Sequence, residues 1–171
     1  MPTRRFAKAL AAVALFNGAL YLCVRQDVIA ADREAEAKKY AEDLRKGKDA
    51  KTKVTALQEL GKLAAVQKSL VEDALPDIYK ALEDKDAGIR AAAATCLGQC
   101  DEPADKVIPL LTKMLKEDKD DAVKAGAARG LASMGPAAKS AVPTLRELAA
   151  DKKSAAGKAA KQALKAIAGK N

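Results

Sequence analysis

Histidine and tryptophan are absent from this 171-residue sequence, and aromatic residues make up only 3% of it. The lack of histidine excludes Ser-His-Asp and Cys-His catalysis, and also zinc sites with histidine ligands. Nucleotide-binding loops of the G-x-x-x-x-G-K-[ST] or G-x-G-x-x-G type are missing, and the three cysteines form no C-x-x-C pair. We therefore expect a protein that is not an enzyme and that uses no cofactor or metal.

Alanine is abundant, with 40 of the 171 residues. Alanine is the strongest helix former, whereas β-branched and aromatic side chains favour strands. The composition therefore predicts an all-α fold whose core is built from small and aliphatic side chains.

Charge is distributed unevenly along the chain, whose net charge is +8. Residues 72–121 hold seven basic and 13 acidic residues, whereas residues 137–171 hold eight basic and two acidic ones. Such asymmetry can steer a charged partner, and an acidic protein, an anionic envelope polymer or lipid head groups would suit the basic end. Nucleic acid is disfavoured, because residues 137–171 offer no aromatic side chain for base stacking.

The first 30 residues have the layout of a bacterial secretory signal. Three basic residues within residues 1–8 precede an uncharged run at residues 9–24, and Ala30 precedes a possible cleavage point. The same segment also fits an uncleaved membrane anchor with its N-terminus inside, or a buried core helix. The first two alternatives predict that the rest of the chain is periplasmic or anchored at the inner membrane, outside the cytoplasm.

A repeat of 33 to 34 residues organises the rest of the chain. Pro76, Pro109 and Pro143 keep this period, and we expect each to start the first helix of a pair, helix A. An aspartate or serine ten or eleven residues later is then predicted to cap the second helix, helix B. The predicted caps, including an earlier copy, are Asp49, Asp86, Asp120 and Ser154.

These repeats resemble HEAT repeats, in particular the short bacterial type also seen in phycobilin-lyase-like proteins. The segments that carry the resemblance are residues 74–98, 107–135 and 141–167. The resemblance implies a right-handed α-α solenoid of about four helix pairs. The apolar run at residues 9–24 predicts a hydrophobic helix before it. It also implies ladders between neighbouring repeats, formed by Asp86 with Arg90 and by Asp120 with Lys124.

The domain organisation follows from these patterns. Residues 1–30 are the signal or anchor, and residues 31–48 form a charged helix that serves as a stalk or as the cap of the repeats. Residues 49–168 are the repeat domain, and residues 169–171 are a tail.

The resemblance predicts a non-catalytic scaffold that binds another protein through the face of its B helices. The residues expected to contact that partner are Arg90, Thr95, Lys124, Arg129, Lys158 and Lys161. If the apolar run at residues 9–24 is not cleaved, the membrane is a second partner. Two alternatives remain: a lyase-like protein that holds a chromophore, and a structural spacer of the cell envelope.

Two groups of residues allow other chemistry. Cys96 and Cys100 fall at core positions, where they would act as small apolar side chains, although a disulfide or a metal or redox role is also possible. The acidic turns at residues 83–86 and 117–121 favour helix capping over a divalent cation site, because no glycine-centred calcium loop is present. Gly126 and Gly130 are predicted to allow close helix contact.

Overall fold

The computed structural model describes residues 18–169, with side chains from Ile29 onward. All regular structure in this part of the chain is helical. Its eight α-helices are α1 Gly18–Lys46, α2 Ala50–Val66, α3 Leu75–Ala81, α4 Ala87–Leu97, α5 Ala104–Glu117, α6 Asp121–Ser133, α7 Val142–Ala149 and α8 Ala155–Ala168. Short 3-10 segments, Lys68–Leu70, Glu72–Ala74 and Gly135–Ala141, lie between helices.

The chain divides into two compact units, the first ending at Glu36 and the second beginning at Ala37. The predicted signal or anchor, with its apolar run at residues 9–24, falls outside the residues whose side chains are described. Between residues 18 and 169, no helix combines the length and the apolar character needed to cross a bilayer.

In the second unit the helices alternate between two roles. The B helices α2, α4, α6 and α8 pack side by side in chain order. Each later A helix packs against its own B helix, α3 on α4, α5 on α6 and α7 on α8. The predictions of an all-α fold and of a helical solenoid are therefore confirmed.

The core lies between these two layers. Leu60, Leu97 and Leu131 each stand eleven residues after the cap of their B helix, and all three are buried. The A helices contribute buried residues as well, among them Ile78, Leu111 and Leu145. At the start of the second unit, the buried face of the charged helix α1 consists of Ala37, Ala41 and Leu44, two of which are alanines. One register thus buries equivalent aliphatic side chains in successive pairs.

Glycine sets the spacing between α4 and α6. A Cβ atom added to Gly126 would lie 2.3 Å from the carbonyl oxygen of Ala91, and one added to Gly98 would lie 2.2 Å from that of Gly130. Both distances are far below van der Waals contact, so the two backbones touch with no side chain between them. The expected role of Gly126 and Gly130 in close helix contact is confirmed.

Proline does not start every A helix. Pro76 and Pro143 lie in the first turns of α3 and α7, as predicted, but Pro109 lies inside α5. Helix α5 begins five residues earlier, at Ala104, because Pro103 stands at its N-cap and the amides of Lys106 and Val107 bond to the Pro103 carbonyl. The interior proline costs this helix one backbone hydrogen bond, the one toward Asp105.

Candidate functional site

A groove of about 310 Å³ runs over the B helices of the first three pairs. Its floor is made of small side chains, among them Gly88, Ala91 and Ala92 of α4. Polar side chains of α2, of α4 and the turn after it, and of α6 surround this floor. They are Gln58, Lys62, Thr95, Gln99 and Arg129.

Register explains which polar residues meet in the groove. Gln58, Thr95 and Arg129 each lie nine residues after the cap of their B helix, so they occupy equivalent positions on three neighbouring helices. Sequence reasoning identified Thr95 and Arg129 but missed Gln58. Extending the cap register to the first repeat would have found it.

The groove carries positive charge. Arg129 is exposed, and none of the side chains that line the groove in the described part of the chain is a carboxylate. Lys62 forms an ion pair of 2.7 Å with Glu59, but 69% of the lysine side chain remains exposed. An exposed pair of this kind is worth little, so the ammonium group remains available to an anion.

Thr95 is partly committed to the fold. Its hydroxyl group donates to the carbonyl oxygen of Ala91 at 3.0 Å or to that of Gly126 at 3.2 Å, and the second bond crosses from α4 to α6. Thr95 therefore lines the groove while it also joins two repeats.

Arg90 lies at the edge where A helices turn into B helices. Its Nε and Nη2 atoms donate to the two carboxylate oxygens of Asp118, at 2.9 and 3.1 Å, and Nη1 donates to the Asp84 carbonyl at 2.8 Å. The side chains of Arg90 and Asp118 are only 19% and 13% exposed. A bidentate pair in this setting fixes one repeat against the next, so Arg90 is a structural residue and not a free contact for a partner.

The ladder differs from the one that the resemblance implied. Its carboxylates are Asp84, which pairs with Lys53 at 3.7 Å, and Asp118, which pairs with Arg90; they are not Asp86 and Asp120. The reason is that Asp86 and Asp120 already accept hydrogen bonds from the first turns of their own helices. Asp84 and Asp118, two positions before these caps, each accept a hydrogen bond from the amide of the cap residue and also reach a basic side chain of the preceding repeat.

Electrostatics at this edge follows from the pairing. The hydrogen bond from Arg90, opposed by partial burial, holds the pKa of Asp118 below its usual value. The same hydrogen bond raises the pKa of Arg90. Lys124 is half-buried and contributes to the low pKa of Asp118 through its charge.

The ladder stops at the last repeat. Lys152 lies two residues before the cap Ser154, the position that Asp84 and Asp118 occupy in the earlier repeats. The last repeat therefore has no carboxylate at the position that would pair with Lys124. Asp121 supplies the connection instead, because its carboxylate accepts from the amides of Ala155 and Ala156, at 2.7 and 3.2 Å.

The four cap residues all stand at the N-termini of B helices. Asp49 accepts from the amide of Thr52 at 2.8 Å, which contributes to its lowered pKa, and Asp86 accepts from Ile89 at 3.1 Å. The remaining bonds are Ala122 to Asp120 at 2.8 Å and Gly157 to Ser154 at 2.9 Å. Each bond satisfies an amide that the helix itself leaves unpaired.

The remaining predicted contacts lie outside the groove. Lys158 and Lys161 are exposed on α8, the last B helix. The structure thus brings Thr95 and Arg129 into the groove, places Arg90 and Lys124 at the ladder, and leaves these two lysines on the final repeat.

A larger depression of about 930 Å³ lies at the C-terminal ends of the B helices α2, α4 and α6. It is mixed in character, with Val66 59% exposed and with an ion pair of 3.2 Å between Lys68 and Glu102. The groove over the B helices has the more consistent chemistry, because one register and one sign of charge define it.

Comparison with protein families settles what these helix pairs are. The family described as HEAT repeats matches residues 38–132 and residues 108–171. The chain belongs to the HEAT repeat family. HEAT repeats generally mediate protein–protein interaction. The two matched segments overlap and together include α2 to α8, so the HEAT assignment covers the groove and the ladder.

Among solved structures, the HEAT chain is similar to the crystal structure of an engineered protein from the Northeast Structural Genomics Consortium. The two share 23% sequence identity with a TM-score of 0.56, over 79% of this chain and 64% of that one. The HEAT chain therefore spans less than two thirds of that protein, and the likeness concerns the fold alone. No curated protein matches the sequence.

Proposed function

We propose that this HEAT protein is a non-catalytic binding module for an acidic protein segment, and that its repeats work outside the cytoplasm. The observation that carries the proposal is the groove over α2, α4 and α6, where small residues leave room and Lys62 and Arg129 supply charge. Small side chains in the floor let a partner backbone approach closely, and the basic side chains favour carboxylates on that partner.

The groove supports a protein partner over a chromophore. A pigment site needs extended apolar or aromatic walls, whereas the described side chains that line the groove include no aromatic residue. Mixing the purified protein with a bilin and recording the absorption spectrum tests the lyase-like alternative. An absorption shift that a groove substitution abolishes would contradict the binding-module proposal.

The partner surface is tested by cross-linking in the native organism, with a photoreactive residue at Gln58. We expect one saturable protein adduct, which Arg129→Glu weakens at least about tenfold because it reverses a charge in the groove. Lys106→Glu is the matched control, since Lys106 is exposed on the A helix α5, away from the groove. A structural spacer would give no saturable adduct, and an interface elsewhere would respond to neither substitution.

Export is part of the same proposal and rests on the basic residues and the apolar run of residues 1–24. A reporter that is active only after export, fused at Asn171, should be active, and deletion of residues 1–30 should silence it. Ala30→Asp separates the two membrane alternatives, because it should block cleavage of a signal but leave an anchor unchanged. A fusion that is active only in the cytoplasm would contradict export.

A further inference from the structure

The exposed side of helix α8 carries a row of lysines. Lys161 and Lys165 follow Lys158 by three and seven residues, and all three side chains are exposed. This spacing places them on one face of the helix, along about 10 Å of its axis. Helix α8 contains no acidic residue, and its buried side consists of glycine, alanine and Ile167. One side of α8 therefore packs on the fold, and the other side, the lysine face, is charged with one sign only.

The surroundings of the lysine face add to its charge. Between residues 137 and 169, seven basic side chains are exposed against two acidic ones. None of the seven forms an ion pair with a carboxylate in the described part of the chain. Beyond the lysine face itself, they are Lys139, Arg146, Lys152 and Lys153.

Solubility alone does not explain the single sign of this surface. Charges of both signs solvate a helix well, as in α1, where residues 32–46 hold five acidic and five basic residues. There Lys46 pairs with Glu42 at 3.5 Å. The lysine face instead holds like charges together, which repel one another and would be stabilised by an anionic surface.

The other side chains of this repeat indicate the class of partner. Protein interfaces have an apolar or aromatic centre and are depleted in lysine. Between residues 137 and 169 no large hydrophobic side chain is exposed and no aromatic residue occurs, so anchors for a protein and stacking groups for a base are both missing. Anionic lipid head groups require neither, because their negative surface potential attracts lysine directly.

We propose that the lysine face docks the repeats on a bilayer that contains anionic phospholipids. The contact is peripheral: the ammonium groups of Lys158, Lys161 and Lys165 lie among lipid phosphates, and no apolar side chain of this repeat inserts. No residue of α8 lines the groove over the B helices. The docking is therefore a second interaction, independent of the binding proposed for the groove.

The test is sedimentation of the full chain with vesicles of equimolar phosphatidylglycerol and phosphatidylcholine. Vesicles of phosphatidylcholine alone account for binding through the apolar run at residues 9–24. We expect the parent chain to prefer the anionic vesicles. Replacement of Lys158, Lys161 and Lys165 by glutamine should lower its partition coefficient onto them at least about tenfold, since each lysine near such a surface contributes about fivefold.

The matched control replaces Lys106, Lys113 and Lys116 of α5 by glutamine. These lysines are also exposed, and the net charge falls by the same amount, so this variant should bind the anionic vesicles like the parent. Equal losses in the two triple variants would show that only net charge matters, and a parent chain without preference for anionic vesicles would equally overturn the proposal.

Two further measurements separate a lipid surface from other partners and from misfolding. Replacement of the same three lysines by arginine should retain vesicle binding, because a layer of phosphates attracts either cation. Polyglutamate or duplex DNA that bound the lysine face more tightly than the anionic vesicles would contradict the proposal. Circular dichroism reports whether the variants stay helical, and if the triple glutamine variant does not, the single substitutions Lys158→Gln, Lys161→Gln and Lys165→Gln decide.

Discussion

Arg90 shows how one side chain joins two repeats. It leaves α4 near its N-terminus and reaches the turn before α6, where both oxygens of Asp118 accept its hydrogen bonds. The same guanidinium group satisfies the carbonyl oxygens of Asp84 and Lys85 in its own turn. Removal of either partner would therefore leave a partly buried charge without its hydrogen-bonded counter-ion.

Asp118→Asn should lower the free energy of unfolding by about 1.5–3 kcal/mol at pH 7, because it removes a charge-assisted bidentate pair. Chemical denaturation measures the change. Asp105→Asn is the control, since Asp105 is exposed at the start of α5, and it should stay within about 0.5 kcal/mol of the parent. Equal effects of the two variants would show that the pair contributes no specific stability.

The same pair predicts a pH dependence. The pKa of Asp118 is lower in the folded protein than its reference value of 3.8, so its contribution is complete above that value and is lost as the pH falls through the folded pKa. The stability difference between the parent and Asp118→Asn should therefore be constant near neutral pH and shrink below pH 3.8. Unfolding curves across this range measure it, and a difference that grew on acidification would contradict the assignment.

Gly126→Ala should be destabilising, although alanine is the better helix former. Its Cβ atom would lie 2.8 Å from the Cα atom of Ala91, and backbone of this kind can move only by spreading α4 and α6. We expect a loss of about 1–3 kcal/mol, measured by thermal denaturation. The matched control is Gly88→Ala, whose Cβ would meet side chains and no backbone of another helix, the Asp86 carboxylate at 3.0 Å and Val54 at 3.8 Å. A parent-like melting temperature for Gly126→Ala would contradict the close approach.

At the scale of elements, α5 tolerates a proline in its interior. Pro109→Ala restores an amide that can bond to the Asp105 carbonyl, so it should raise the free energy of unfolding by about 1–3 kcal/mol. Pro109 is exposed, and the change leaves little packing to lose. A lower melting temperature would instead mean that the proline ring supports contacts around α5.

Two leucines test which faces of the helices are buried. Leu97→Asp should cost at least about 3 kcal/mol, because Leu97 is 1% exposed in the core and the new charge would have no partner. Leu110, on α5, is 38% exposed, and Leu110→Asp should change the free energy of unfolding little. Similar melting temperatures for the two variants would refute the core assignment.

Sequence pattern was sufficient for most of the elements, because their positions depend on local signals. The cap register located Leu60, Leu97 and Leu131 in the core, and composition predicted the all-α fold. Prediction from sequence pattern failed where a residue's partner is distant in the sequence, or where one local signal is compatible with two structures. Proline alone did not show that Pro103 would cap α5, and no local feature indicated that Arg90 pairs with Asp118 and not with Asp86.

At the scale of the whole repeat domain, each pair contacts its sequence neighbours along the B-helix layer. Truncation after residue 136 should therefore leave a helical but less stable remnant, because it exposes the faces of α5 and α6 that pack on the removed segment and leaves the contacts among the earlier pairs intact. Far-UV circular dichroism and thermal melting measure both properties. Complete loss of helicity would show a single cooperative bundle instead of a stack.

The candidate site required the assembled stack. Thr95 and Arg129 were predicted, and Gln58 follows from the cap register, whereas Lys62 and Gln99 line the groove only because α2 lies beside α4 and the turn after it. Lys158 and Lys161 were predicted from their place on the B helix of the last repeat, but the groove is lined only by residues of the first three repeats.

The unequal contacts between B helices have a mechanical consequence. Between α4 and α6 the backbones touch at Gly98 and Gly130, so we expect this contact to resist compression and the two repeats to move together. Between α2 and α4, the atom nearest to a Cβ added at Gly61 is the amide oxygen of the Gln99 side chain, and this side chain can rotate. We therefore expect the contact between α2 and α4 to be more easily deformed than the contact between α4 and α6. Gln99 also lines the groove. A bound segment that rotates this amide would therefore change the spacing of α2 and α4, and the first repeat would shift relative to the second and third.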